Sequence, residues 1–473
     1  MPMTNDTRRP SAVEWLQRLD AKSVSAEELV QSVIDRIEAV NPSLNAVVAL
    51  DAEQVIAQAR LSDNERASGI SRPLQGLPVT VKDSIDVEGM ISTGGSYARE
   101  NYRPDKDATA IARLRAAGAI IVGKTNLPEY SSSYETDNAL FGRTNNPFDI
   151  NRTPGGSSGG EGALLGADAS LLGIGADGGG SIRVPSHYCG TVGIRPTVGR
   201  VPDTGHWPHT CDTGYRDMMC IGPMARYVED LALLLPVISG PDWIDPYACG
   251  ADLADPHSVQ LNDLHIGFYT HDGVAKVSPE TRAAVIDSAM ALEKGGGRVS
   301  EVTPPDLTQA TSLFFSMIGA DGGKRTWRDL EGSEGRHHIQ FQTLLDGFGE
   351  SISLTDYFDL QNQFFQFRSR LRHFLCGYDA ILCPVTTGPA PLHMQPPYGI
   401  PQEEYYNYAG FNYLHAYAVA GAPSTVVPVA EQEGLPLGVQ VVSQPYQEHI
   451  SLAVAGLLES MMGEYVPRFK PIT

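Results

Sequence analysis

Residues 153–185 read TPGGSSGGEGALLGADASLLGIGADGGGSIRVP, and the mixture of glycine and apolar residues in them decides the fold. A flexible linker is rich in glycine and serine but carries no apolar runs. Here Leu171-Leu172-Gly173-Ile174-Gly175 is strand-like and lies between segments of helical character that follow Gly159 and Ser181. Helix, buried strand and helix in succession form the unit from which α/β proteins are assembled. The glycines let backbone N–H groups approach a ligand closely, while Ser157 and Ser181 bring hydroxyls to two points of one pocket. A pair of tight turns at a packed helix–sheet junction is the other reading of the same glycines.

The pattern extends in both directions. Upstream, Ser25 begins a capping box with Glu28 and opens a helix to about Val40, where Asn41-Pro42 is expected to stop it; a second helix follows Asp51. Residues 77–81 (LPVTV) form a buried strand that delivers Lys82 to its C-terminal end, where α/β sheets place their chemistry. Helical spacing over 108–117 ends at Gly118, and 119–122 is a strand. Downstream, helices are expected near 227–239, after Ser278, over 355–376 and near 448–461, with strands at 265–269, 299–302, 380–384 and 437–442. With no internal repeat and no low-complexity linker, residues 1–473 read as a single large α/β/α domain with a central mixed sheet covered by helices.

Two short patterns match well-known signatures. Residues 118–125 (GAIIVGKT) fit the phosphate loop G-x-x-x-x-G-K-[ST] letter for letter. That loop must follow a strand and open a helix, whereas here the intervening residues are themselves the strand and Pro128 follows closely, so no nucleotide site is expected. Residues 155–159 (GGSSG) fit the G-x-S-x-G turn of α/β-hydrolases, which needs an entering strand and, later, an acid and a histidine. His415 and His449 are candidates for the last, although Asn151-Arg152-Thr153-Pro154 makes a poor strand; an esterase of that kind stays open as a rival.

Composition narrows the partners. Against 56 acidic residues stand 35 Lys and Arg, a formal net charge of −21, which argues against a surface that tracks nucleic-acid phosphates and suits a neutral or cationic small molecule, though solubility alone also explains it. The six cysteines include no C-x-x-C pair and no histidine at zinc-ligand spacing, so free thiols and no metal are expected. The N-terminal MPMTNDTRRPS has no apolar stretch of signal-peptide character, and no run reaches the roughly eighteen apolar residues of a membrane span, so a cytoplasmic chain with no membrane contact is expected.

The blocks at 77–83, 153–200, 379–384 (DAILCP) and 434–440 (GLPLGVQ) resemble the amidase signature family, which includes bacterial amidases, fatty acid amide hydrolase, the glutamine-hydrolysing subunit of tRNA-dependent amidotransferases and urethane-cleaving hydrolases. The resemblance runs through most of the chain and is strongest from Leu77 to Thr197, with 153–200 as the signature core and 201–375 as more variable helical insertions around the pocket. It implies Ser181 as nucleophile, Ser157 as the bridging serine after a cis peptide, and Lys82 as base, at spacings of 75 residues from 82 to 157 and 24 from 157 to 181. A lysine can act so if burial lowers its pKa toward neutrality.

The resemblance further implies an oxyanion hole from the N–H groups of Gly178, Gly179, Gly180 and Ser181, with Gly178 standing where many relatives have a larger residue. Ser158 and Thr153 are expected to support the network, and Asp177 and Arg183 to tie down the nucleophile loop, Arg183 as a structural ion pair rather than a substrate contact. Tyr130, Ser131 and Ser132 read as a pocket wall or as a plain loop, and 205–215 and 405–413 as an apolar entrance or as packing between helices. The implied activity is hydrolysis of an amide, anilide or carbamate without cofactor, as monomer or homodimer; the alternative of another class is the glutamine-hydrolysing subunit of a tRNA-dependent amidotransferase.

Overall fold

Eleven strands join in one mixed sheet in the computed structural model, which describes residues 9–209 and 214–462. They are β1 (Val47–Leu50), β2 (Pro78–Lys82), β3 (Ile120–Thr125), β4 (Leu172–Asp177), β5 (Val192–Arg195), β6 (Cys220–Ala225), β7 (His265–Phe268), β8 (Arg298–Glu301), β9 (Ala380–Pro384), β10 (Ser424–Gln432) and β11 (Leu435–Ser443). Their spatial order is β1-β3-β2-β4-β6-β5-β10-β11-β9-β7-β8, with helices packed along the sheet. The expected α/β architecture with a central mixed sheet is thus the observed one. The stretch 1–8, read for a targeting signal, and 210–213 of the 205–215 segment lie outside the described residues.

What positions the site is the parallel trio β3-β2-β4. Val81 lies opposite Lys124 of β3 and Ile174 of β4, so the C-terminal ends of β2 and β4 open on the same edge and bring Lys82 and Asp177 there. Val79, Val81, Ile174 and Ile221 are inaccessible to solvent, as expected where a strand is covered on both faces. The helix Gly159–Gly166 lies close against this trio, and a Cβ on Gly175 would sit 2.8 Å from the Ser158 hydroxyl oxygen. Glycine at 175 is what permits that approach.

Most expected elements are present within a residue or two, and two differ for physical reasons. The helix opened by Ser25 runs from Ala26 to Leu44, through Pro42. Proline in the last turn forfeits only one intrahelical bond. The Asn41 side chain instead holds the exit by accepting from the N–H groups of Ala46 and Val47, both at 2.8 Å, and Asn45 closes it in the left-handed region at φ 50°. The strand β3 extends past Val122 to Thr125, so the GKT of the phosphate-loop pattern is strand. Lys124 is sealed inside, donating to the Ile85 carbonyl at 2.7 Å and Ser92 Oγ at 2.8 Å and pairing with Asp83 at 3.2 Å, which leaves it no phosphate to bind.

Candidate active site

Lys82 ends β2 with its amine fully buried, 2.6 Å from Ser157 Oγ and 3.5 Å from the Ala176 carbonyl. Burial pulls its pKa from 10.5 down to about 7, against the opposing pull of the Asp177 and Glu161 carboxyls. The peptide between Gly156 and Ser157 is cis. Beside it, the Ser158 N–H donates to the Ser181 carbonyl at 3.0 Å, and Ser158 Oγ meets both the N–H and the carbonyl of Ala176 at 3.3 Å, stitching the two glycine-rich turns to β4. Thr153 acts one step further out: its hydroxyl accepts from Gly155 N at 3.0 Å, and Thr136 donates to the Gly155 carbonyl at 2.7 Å. Among the described residues no hydrogen bond joins the Ser157 and Ser181 hydroxyls; Ser181 is 8% exposed, whereas Ser157 is 1% exposed and Lys82 is inaccessible.

Asp177 organises the loop that carries Ser181. Its carboxylate accepts from the N–H groups of Gly180 at 2.7 Å and Ile182 at 3.1 Å, and pairs through both oxygens with Arg183 at 3.0 Å. Burial pushes this carboxyl up, and the Arg183 and Arg195 guanidiniums outweigh it, leaving it at about 2. Arg183 is itself fully buried, its remaining donors on the Leu414 carbonyl at 3.2 Å and Gln440 Oε1 at 3.3 Å, so it serves the loop and faces no ligand.

The bond from Gly180 corrects one expectation. With its N–H committed to Asp177, Gly180 is not available to an oxyanion, whereas the N–H groups of Gly178, Gly179 and Ser181 donate to no acceptor among the described residues. Gly180 has φ +136°, in the left-handed region, and a Cβ there would meet Leu414 at 2.7 Å, so only glycine fits at this position.

The esterase reading is overturned. No strand enters Ser157 from 153–156, and His415 bonds Tyr134 at 2.7 Å and Thr311 at 2.9 Å rather than a serine. Burial holds His415 at about 3, so it is neutral. His449 lies on the last helix, Glu448–Met462, with Nδ1 unpartnered.

Tyr130 and Ser132 line a small pocket of about 20 Å³ with Tyr215, Phe341, Leu344 and Phe348. The Tyr130 ring meets Trp207 edge-on at 4.8 Å and its hydroxyl donates to Asp329 at 2.7 Å; Ser132 Oγ donates to the Glu129 carbonyl at 2.7 Å. Ser131 is not in that wall, and its hydroxyl is buried without a partner. Tyr215 joins the pocket to the loop, since a Cβ on Gly178 would lie 3.0 Å from its ring. Leu344 and Phe348 also wall a groove of about 970 Å³, to which Phe315, Ile352 and Tyr408 contribute. From 205–215, Tyr215 therefore lines the pocket while Trp207 is buried behind Tyr130, and from 405–413, Tyr406 and Tyr408 lie at the groove, whereas Tyr413 is core.

Two features escaped the sequence reading. Glu161 is a carboxyl buried in a Gly/Ala/Leu helix, held by the hydroxyls of Thr80 at 2.7 Å and Thr125 at 2.9 Å and raised by burial to about 8; its presence in so apolar a run was the available signal. The bridge from Tyr134 to His415 spans 281 residues and has no local pattern.

The Amidase family profile matches residues 28–452. Indoleacetamide hydrolase of Bradyrhizobium diazoefficiens is 33% identical, with 96% of this chain and 86% of that one covered. A glutamyl-tRNA(Gln) amidotransferase subunit of Roseiflexus castenholzii is 32% identical over 91% of each chain. A solved bacterial aryl acylamidase of the amidase signature family superposes with a TM-score of 0.85 at 26% identity, covering 96% of both chains. With a buried lysine beside a serine in one glycine-rich turn and a second serine in the next, and with this likeness along nearly its whole length, the chain belongs to the amidase family.

Proposed function

We propose that this chain hydrolyses small-molecule amides, anilides or carbamates through an acyl-enzyme on Ser181. The observation that carries the reading is the buried Lys82 amine, brought by burial to titrate at about 7 so that its neutral form is populated there, at 2.6 Å from Ser157 Oγ. Ser181 Oγ attacks the carbonyl carbon while its proton passes to Ser157, whose own proton passes to Lys82. The oxyanion that forms is met by the N–H groups of Gly178, Gly179 and Ser181. Lys82 then returns the proton through Ser157 to the nitrogen, the C–N bond breaks, and water releases the acyl group by the same steps in reverse. Small movements of the Ser181 side chain complete the relay when substrate is bound, since catalytic bonds commonly tighten in the complex. With a carbamate, the same attack releases alcohol or amine. Tyr130 and Ser132 serve as part of the wall of the acyl or aryl pocket, with Ser131 behind them. The names of the similar proteins, indoleacetamide hydrolase and aryl acylamidase, favour a flat or aromatic substrate.

A second reading, ammonia production from glutamine within an amidotransferase complex, is favoured by the 32% identity to the Roseiflexus castenholzii amidotransferase chain. A panel of para-nitroanilides, aryl carbamates and glutamine separates the two. Hydrolysis of an anilide or carbamate by the isolated chain, lost in Ser181→Ala, supports the first; glutaminase activity with no anilide or carbamate turnover supports the second. Turnover that survives Ser181→Ala contradicts both.

A further inference from the structure

The peptide between Gly179 and Gly180 is gripped on both sides. Its N–H donates to Asp177 at 2.7 Å, and its carbonyl accepts from the Tyr134 hydroxyl at 2.8 Å. Tyr134 in turn meets His415 Nε2 at 2.7 Å, and His415 Nδ1 meets Thr311 Oγ at 2.9 Å. The protons in this chain can be assigned by elimination. A carbonyl can only accept, so the single Tyr134 proton is spent on Gly179. His415 Nε2 must then be the donor to Tyr134, and Nδ1, unprotonated in a neutral ring, accepts from Thr311. The Thr311 hydroxyl lies 2.9 Å from both His415 Nδ1 and Asn412 Oδ1, so its one proton is shared between these two acceptors, and Asn412 Oδ1 also accepts from the Thr311 N–H at 3.2 Å. Tyr134 is itself fixed by stacking on Phe411 at 3.9 Å, and His415 by stacking on Phe314 at 4.5 Å.

We infer that Tyr134 is a positioning residue for hydrolysis: with His415 and Thr311 behind it, it holds the Gly179–Gly180 peptide so that the flanking N–H groups of Gly179 and Ser181 stay aimed at the developing oxyanion. This rests on the oxyanion hole proposed above. A peptide plane held only by Asp177 is free to rock about that one bond; the Tyr134 hydroxyl supplies the second point that stops it. The burial that keeps His415 neutral keeps the direction of the chain fixed at ordinary pH.

The test uses a fluorophosphonate, whose phosphoryl oxygen enters the oxyanion hole whatever the natural substrate is. Tyr134→Phe keeps the ring stack and loses only the hydroxyl. Its kinact at Ser181 is expected to fall about tenfold with KI within about twofold, less than the loss for deleting an oxyanion donor outright. His415→Leu should weaken kinact in the wild-type background and add nothing once Tyr134→Phe is present, while His415→Gln, which can still donate to Tyr134, should retain more kinact than His415→Leu. A wild-type kinact in Tyr134→Phe, or effects that multiply in the double variant, overturns the inference while leaving Ser181 as nucleophile. A wild-type adduct anywhere but Ser181 overturns both.

Discussion

With the Lys82 amine out of reach of water, its charged form loses hydration, and the group titrates near 7 instead of its ordinary 10.5. The unfolded chain keeps that proton to higher pH, so between these two values it binds more protons than the folded chain, and stability rises with pH across the window. Below about pH 7 the penalty stands in full. Lys82→Met removes it: thermal denaturation at about pH 6 should give the variant the higher Tm, with the gap closing toward about pH 10. A lower Tm for the variant at about pH 6 contradicts that linkage. Under the proposed relay, Ser157→Ala removes the step between Ser181 and the Lys82 amine, and kcat on an active anilide should fall by at least about 100-fold with KM little changed. Asp177→Ala strands the fully buried Arg183 and Arg195, and urea denaturation should register a loss of about 3–5 kcal/mol. Lys82, Ser157 and Ser181 drew attention as a lysine at the end of a buried strand and hydroxyls among glycines, and it was the family resemblance that attached roles to them. The commitment of the Gly180 N–H was not legible, because it depends on how the loop curls back over the Asp177 carboxylate, which no residue letter carries.

Among the elements, the close layering of the helix Gly159–Gly166 on β4 depends on glycine. Gly175→Ala places a methyl 2.8 Å from Ser158 Oγ and 3.0 Å from the Met224 sulfur, neither of which has room to retreat. It should lower stability by about 1–3 kcal/mol in urea denaturation and reduce labelling of Ser181, since Ser158 tethers that residue. Unchanged stability and labelling would show the layer to be slack. Strands with continuous apolar runs, β2, β4 and β9, were readable from their letters. The strand β10 was not: Pro428 interrupts it, and only the structure places that residue beyond the last pairing with β5 and at a register shift against β11, where a missing N–H is tolerated. The strands β5 (VGIR) and β6 (CIGPMA) were not read either, because glycine and proline interrupt their apolar letters, nor was the four-residue β1.

At the scale of the molecule, Tyr215 stands between the loop that follows Asp177 and a small pocket walled by Tyr130 and Tyr215, and beyond Leu344 and Phe348 lies a larger apolar groove. Phe348→Ala opens the wall between the two, so kcat/KM should shift toward an octanoyl anilide over an acetyl anilide; an unchanged ratio would place substrate elsewhere. The central claim is that a neutral Lys82 activates Ser181 through Ser157, and the most direct measurement is fluorophosphonate labelling of the purified chain across pH, read by intact mass and peptide mapping. A single adduct on Ser181 is expected, at a rate that rises about tenfold per pH unit below about 7 and then levels, with both the rate and this limb lost in Lys82→Met. An adduct on another residue, or a Lys82→Met rate equal to that of the wild type, contradicts it.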